Sequence, residues 1–146
     1  MDRRTKAREL AMQLLYQMDV QGDDVLNHLD AFFIESGDDD MVRSLATKWT
    51  KGAWKELSDC DGTIKSASIK WDVKRLCAVD KSILRLSVYQ LKRCPEIPVK
   101  VVINEAIELA KKYSTAQSPG FVNGVLDSVM KKLGRDDEEK DREASN

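Results

Sequence analysis

Between residues 3 and 18 the apolar side chains Ala7, Leu10, Ala11, Leu14, Leu15 and Met18 recur at helical spacing. They form one stripe of a first helix that Gly22 can end. A short second helix is predicted around Val25, Leu29, Phe32 and Phe33. Val42, Leu45, Ala46, Trp49, Ala53 and Leu57 mark one side of a third, with Lys48, Lys51 and Lys55 as a ridge on another, most simply a solvated face. Ile64, Ala67 and Ile69 predict a further helical piece before Trp71. Val79, Ile83, Leu84, Leu86, Val88 and Leu91 then mark a more strongly buried helix. Pro95 and Pro98 end it, because an interior proline costs a helix about 3 kcal/mol.

Pro98 can occupy the first turn of the next helix, where its missing N–H is no loss. Val102, Ile103, Ala106, Leu109, Ala110 and Tyr113 turn inward from it, while Asn104, Glu108 and Lys111 face water. Val101 falls on that polar face, either as a lone exposed valine or as a partner contact. Ser118-Pro119 reads as an N-cap and first-turn proline. Val122, Val125, Leu126, Val129, Met130 and Leu133 form the last stripe, which Gly134 can cap. No run alternates with period two for long enough to make a strand. The pattern therefore predicts an all-α bundle of about six or seven helices over residues 1–134. Residues 135–146, charged and without a large apolar side chain, are expected to form a disordered tail.

A chain of 146 residues with 42% apolar content suits one ordinary globular domain, or two small halves sharing a core. A net charge of −1 excludes a protein that coats nucleic acid over its whole surface, since counterion release needs a dense positive array. Any nucleic-acid contact is local. The charge is also segregated: Glu9 to Val42 contains no lysine or arginine, while Asp19, Asp23, Asp24, Asp30, Glu35 and Asp38-Asp39-Asp40 crowd in. No stretch approaches the roughly 18 apolar residues of a membrane span, and the first residues lead into no signal-peptide core. A cytoplasmic protein is expected. Cys60, Cys77 and Cys94 are odd in number and far apart, which favours reduced, mostly buried thiols over disulfides or a zinc site.

Catalytic machinery is missing from the inventory. His28 is the only histidine, so histidine-rich metal sites are excluded. Glu105 and Glu108 lie three apart, but a bundle metal site would need Glu-x-x-His motifs that do not occur here. Glu108 is expected to pair with Lys112 four residues on. The glycines stand singly, with no phosphate loop. Neither an enzyme nor a resident cofactor or metal is expected.

The start of the first helix is different. Arg3, Arg4, Lys6 and Arg8 crowd its opening turns, where the helix dipole disfavours positive charge by about 0.3–1 kcal/mol per group. The same placement adds cations to free backbone N–H groups, which together suit phosphate. A frayed charged terminus is the alternative. Four such contacts to single-stranded phosphates give log K a salt slope of roughly −3, at about 0.7 per phosphate. Phe121, with Asn123 nearby, is a second candidate: a ring to stack on a base and an amide to read its edge. Packing of Phe121 under the preceding loop is the alternative.

Four segments together resemble the NusB family of bacterial transcription antitermination factors. They are Arg4 to Ala11 with Leu14-Leu15-Tyr16-Gln17, Val79 to Leu86 with Tyr89 and Leu91, Ile97 to Lys111, and Phe121-Val122-Asn123-Gly124-Val125-Leu126-Asp127. The resemblance covers about Arg4 to Leu133; the acidic segment from Asp19 to Asp40 matches nothing in particular. It implies two small helical halves, partnership with NusE (the small-subunit ribosomal protein that doubles as a transcription factor), and joint binding of the boxA element of nascent ribosomal RNA. It carries RNA binding onto Arg4, Lys6, Arg8 and Phe121, and a NusE-facing surface onto Tyr16 and Asp80, to which Val101 is added as a candidate partner contact. Asp80 also falls on the apolar side of its helix, where an acid needs a cap or a partner. Thr5 stands where some relatives carry another basic residue, so RNA affinity is expected to depend on NusE. The expected role is a non-enzymatic adaptor tethering the transcript to RNA polymerase. The alternatives are the RNA-targeting domain of a ribosomal RNA cytosine methyltransferase, whose catalytic domain is not found before Asn146, and a structural module forming a homodimer.

Overall fold

The computed structural model describes residues 2–67 and 76–136, and within them the chain is helical with no strand. Helix α1 spans Arg3–Gln21, α2 Leu29–Ser36, α3 Asp40–Lys55, α4 Leu57–Ala67, α5 Ala78–Arg93, α6 Val99–Tyr113 and α7 Ser118–Lys132, with a 3-10 turn over Asp23–His28 leading into α2. Ile69 and Trp71 of the predicted fourth piece, and the tail from residue 137 on, lie outside the described residues. No helix among the described residues is long and apolar enough to cross a membrane.

The ends follow local chemistry. Asp2 caps α1, its carboxylate accepting from the Arg4 and Thr5 amides, and Gly22 closes the helix at φ 84°, in the region glycine favours. Asp39 caps α3 through the Val42 amide. Three boundaries differ from the sequence reading. Leu57 opens α4 instead of ending α3, because the chain turns at Glu56. Pro98 is the cap of α6, not part of its first turn, and its carbonyl accepts from Val101 and Val102. Ser118 is the first residue of α7, and its hydroxyl is spent on Asp80 instead of on its own helix.

α1 packs on α3 and against α5; α5, α6 and α7 pack on one another, with α4 laid across α5 and α7. Two halves, α1–α3 and α4–α7, thus meet where α1 faces α5, and one continuous core runs through both. Because α1 is central, burial spreads beyond its stripe to Arg8, Glu9 and Met12. Arg85, inside the apolar run of α5, locks the junction. Its guanidinium gives two bonds of 2.8 Å to Asp61 on α4 and one of 2.8 Å to Asp19 on α1. Among the described residues the thiols of Cys60 and Cys94 are buried and that of Cys77 is exposed. Burial pushes the Cys60 thiol up to about 12, so it is inert at neutral pH.

Candidate nucleic-acid interface

The four basic residues at the start of α1 point in different directions, since each helical position turns by about 100°. Arg3 leans toward α3 and pairs with Asp39 at 2.8 Å. Arg4 is exposed, forming no ion pair among the described residues. Lys6 lies on the outer face, 3.8 Å from Glu9. Arg8 turns inward, with a side chain only 4% exposed. It lies over the Trp49 ring at 5.2 Å and reaches Glu105 on α6 at 3.4 Å, while the Thr5 hydroxyl donates to the same Glu105 oxygen at 2.6 Å. The expectation that Arg8 contacts RNA is therefore corrected: its guanidinium is sealed in an α1–α3–α6 clamp and presents nothing to a phosphate. The position of Thr5, where a basic side chain was expected to be missed, supplies a hydroxyl to that clamp.

Past this end, α1 and α6 run side by side in the same direction. Glu9 is buried and binds Lys112 at 2.9 Å, and Gln13 donates to the Tyr113 hydroxyl at 3.2 Å. Lys112 thus leaves Glu108, its predicted partner, to Lys111. Burial raises the Glu9 carboxyl, but hydrogen bonds from Lys112 and Tyr113 and the charges of Lys112 and Lys6 outweigh it and hold the group below its ordinary value. A groove of about 630 Å³ follows this seam, lined by Thr5, Glu9, Val101, Asn104 and Lys112 among others. Val101 is 36% exposed at its α1-start end, as the polar-face placement predicted.

The far end holds the remaining candidates. Tyr16, 39% exposed, lines a cleft of about 300 Å³ with Gln13, Gln17, Val79 and Tyr113. Next to Val79 in the chain, Asp80 is buried to 8% exposure. Its carboxylate accepts from the Ser114 hydroxyl at 2.6 Å and the Ser118 hydroxyl at 2.9 Å. The question of cap or partner is answered inside the chain. Asp80 ties the first turn of α5 to the α6–α7 corner, so what faces outward near it is its surroundings and not its carboxylate. Phe121 is half-buried on that corner and shares a pocket of about 400 Å³ with Leu76, Cys77, Asp80, Thr115 and Gln117. Asn123 is exposed, but two residues on a helix lie about 200° apart, so it faces away from Phe121. The pairing of that ring with that amide is withdrawn.

Along α1, Thr5 and Tyr16 are about 16 Å apart at 1.5 Å per residue. The fold thus separates the basic start, with Val101, from a second cluster of Tyr16, Asp80 and Phe121. Sequence reasoning missed the Arg8–Trp49–Glu105 clamp, the Ser114–Asp80–Ser118 tie and the Asp2 cap. Only the last had a local signal, an aspartate directly before the first helix.

Comparison with known proteins gives these clusters their setting. A model of the NusB family matches residues 5–131. A transcription antitermination protein NusB of Sorangium cellulosum is 36% identical over 140 residues, covering 96% of this chain and all of the relative. Another, from Anaeromyxobacter dehalogenans, is 44% identical over 132 residues, 90% of this chain and 92% of its own. The solved structure of T. maritima NusB superposes with a TM-score of 0.84 at 31% identity, over 96% of this chain and 98% of that one. A structure of the antitermination factors NusB and NusE in complex with dsRNA gives 0.82 at 26% identity, over 90% and 98%. With the match running from the first turn of α1 nearly to the end of α7, this chain belongs to the NusB family.

Proposed function

We propose that this protein is a transcription antitermination factor that, with NusE, binds the boxA element of nascent ribosomal RNA and helps prevent premature termination by RNA polymerase. It acts in the cytoplasm, on the transcript as it emerges. The observation that carries the reading is the basic start of α1, where Arg4 is exposed without an ion pair among the described residues and stands beside Arg3 and Lys6, whose pairs with Asp39 and Glu9 are partly open to solvent. Support comes from the relatives' name and from the related structure in which NusB and NusE hold RNA. Arg3, Arg4 and Lys6 engage phosphates and Phe121 offers a ring to a base, with Asn123 left as an outlying contact. Tyr16 and Val101, with the corner organised by Asp80, face NusE.

The mechanism is tethering: holding the transcript to the antitermination complex raises effective concentration without any covalent step. With Arg8 withdrawn and Arg3 shared with Asp39, two to three phosphate contacts remain. The salt slope for the chain alone is then roughly −1.4 to −2, at about 0.7 per phosphate, shallower than the four-cation value. Fluorescence anisotropy on boxA RNA and a scrambled control, with and without NusE, tests the reading. Wild type should prefer boxA, chiefly in the presence of NusE, and Arg4→Ala/Lys6→Ala should lose most of the binding. Equal affinity for both RNAs, or no loss in the variant, defeats it.

A further inference from the structure

α3 carries a charge pattern that the proposed boxA contact does not use. From Met41 to Lys55 the sequence holds Arg43, Lys48, Lys51 and Lys55 and no acid, in a chain of net charge −1, directly after a stretch without any lysine or arginine. Lys48, Lys51 and Lys55 follow one another at spacings of three and four, so they share one face over about 10 Å. That face is opposite the buried Val42, Ala46 and Ala53, and all three lysines are exposed. Several cations elsewhere are given acids: Lys81 and Arg85 take Asp19, Lys92 takes Asp59, Arg93 takes Glu56 and Lys112 takes Glu9, while Lys65 and Lys100, like the ridge, are left without one among the described residues. Among the described residues the three ridge lysines form no ion pair.

Stability accounts for only part of this. A cation in the last turn of α3 complements the helix dipole, which covers Lys55. Lys48 and Lys51 stand before that turn, and like charges at spacings of three and four repel by a few tenths of a kcal/mol. Along α3 the ridge begins nine residues, about 14 Å, past Asp39, the cap of α3 and the partner of Arg3, so a strand of a few nucleotides spans from the basic start of α1 to Lys48.

We propose that Lys48, Lys51 and Lys55 form a second phosphate track that holds single-stranded RNA flanking boxA without reading its sequence. This rests on the function proposed above. Lysine ammonium groups on flexible stems act as point charges toward phosphate, and phosphate contacts position a strand without specifying bases. The RNA continuing past Arg3 and Arg4 is the polyanion that this position can reach.

The test uses the full chain with NusE and two RNAs, boxA alone and boxA extended by single-stranded flanks of arbitrary sequence, titrated across salt. The variant is Lys48→Gln/Lys51→Gln/Lys55→Gln, with Lys48→Gln alone as a second, since that position is away from the helix end. On the extended RNA the triple variant should lose roughly tenfold in affinity at 0.1 M salt and its salt slope should become shallower by about 1.4 to 2. Lys48→Gln should take about 0.7 from the slope. Binding of boxA alone should stay within twofold of wild type. Unchanged binding of the extended RNA overturns the proposal, as does an equal loss on boxA alone, which would place the ridge inside the boxA contact. Failure of the underlying function shows separately, as wild type binding boxA and a scrambled core equally.

Discussion

Removing Arg8 should damage the fold and not the RNA contact. Its guanidinium stacks on Trp49 at 5.2 Å in a site closed to water, a contact of about 2 kcal/mol when desolvated. Its 3.4 Å approach to Glu105 adds about 1 kcal/mol, discounted because Glu105 is 21% exposed. Truncation also leaves a void between α1 and α3, so Arg8→Ala should cost about 3–4 kcal/mol. For a domain of this size that lowers Tm by about 10 °C. Arg8→Lys keeps the charge but lacks the planar face, and should recover about 1 kcal/mol. Arg4→Ala is the contrast: its side chain is exposed, so Tm should stay within about 2 °C while the salt slope of RNA binding loses about 0.7. Calorimetric melts combined with anisotropy titrations well below Tm separate the two. An Arg8→Ala protein that melts like wild type but has a shallower salt slope would refute the clamp and return Arg8 to the RNA surface.

Three further outcomes follow from the same packing. Gly52 faces the Tyr89 ring so closely that a Cβ there would sit 2.2 Å from the hydroxyl oxygen, so Gly52→Ala should lower the urea midpoint by the equivalent of about 1–3 kcal/mol despite alanine's better helix propensity; an unchanged midpoint contradicts the close approach. Asp80→Ala removes the acceptor that ties α5 to the α6–α7 corner, leaving the Ser114 and Ser118 hydroxyls to each other and to Thr115, and should cost about 1–2 kcal/mol and weaken NusE binding, whereas Asp80→Asn, which keeps an acceptor, should cost less; equal losses in the two would argue against the hydroxyl tie. Burial raises the carboxyls of Glu9 and Asp19, but Lys112 and Tyr113 on the first, and Arg85 and Lys81 on the second, outweigh it, so both sit below their ordinary values of 4.5 and 3.8. A carboxyl depressed in the folded state stabilises above its unfolded pKa and stops doing so as pH falls through the folded one; Tm should hold from pH 7 to about 5 and drop below about 4.5, and a Tm that rises on acidification contradicts this.

Periodicity was enough to read the fold where one face alternates with solvent. The stripes of α6 and α7 and the capping role of Gly22 follow from 3.6-residue spacing and the freedom of glycine, and α3 carries its lysines opposite its core as its pattern requires, whereas α1 and α5 are central and bury residues well beyond their stripes. The candidate site was less legible because its residues are decided by partners far along the chain. Arg8 sits at a basic helix start in sequence and in a buried clamp in space, because Trp49 and Glu105 are brought to it by α3 and α6. Asp80 is explained by Ser114 and Ser118, over thirty residues away. The mistaken pairing of Phe121 with Asn123 was of another kind, since the 200° offset of two helical residues is contained in the sequence itself.

The separation of the candidates into two ends changes how RNA recognition has to work. On the function proposed above, Arg4 and Lys6 would supply charge at one end of the α1–α6 seam and Phe121 a ring beyond the other, past Tyr16. Between them lies the Glu9–Lys112 pair, nearly neutral and holding the two helices together, so it offers a passing strand little attraction. Two or three phosphate contacts alone are weak, and a single partly buried ring contributes about 1–3 kcal/mol at most. One strand engaging both ends gains from effective concentration what neither end provides by itself, and a strand too short to reach both loses that linkage entirely. On that proposal the strength of binding depends on the length and path of the RNA across the seam, and a NusE molecule contacting Val101 at one end and Tyr16 at the other would act by fixing that path. Specificity on that proposal would belong to the assembled pair, because the two proposed anchors stand apart, with Thr5 and Tyr16 about 16 Å from each other along α1.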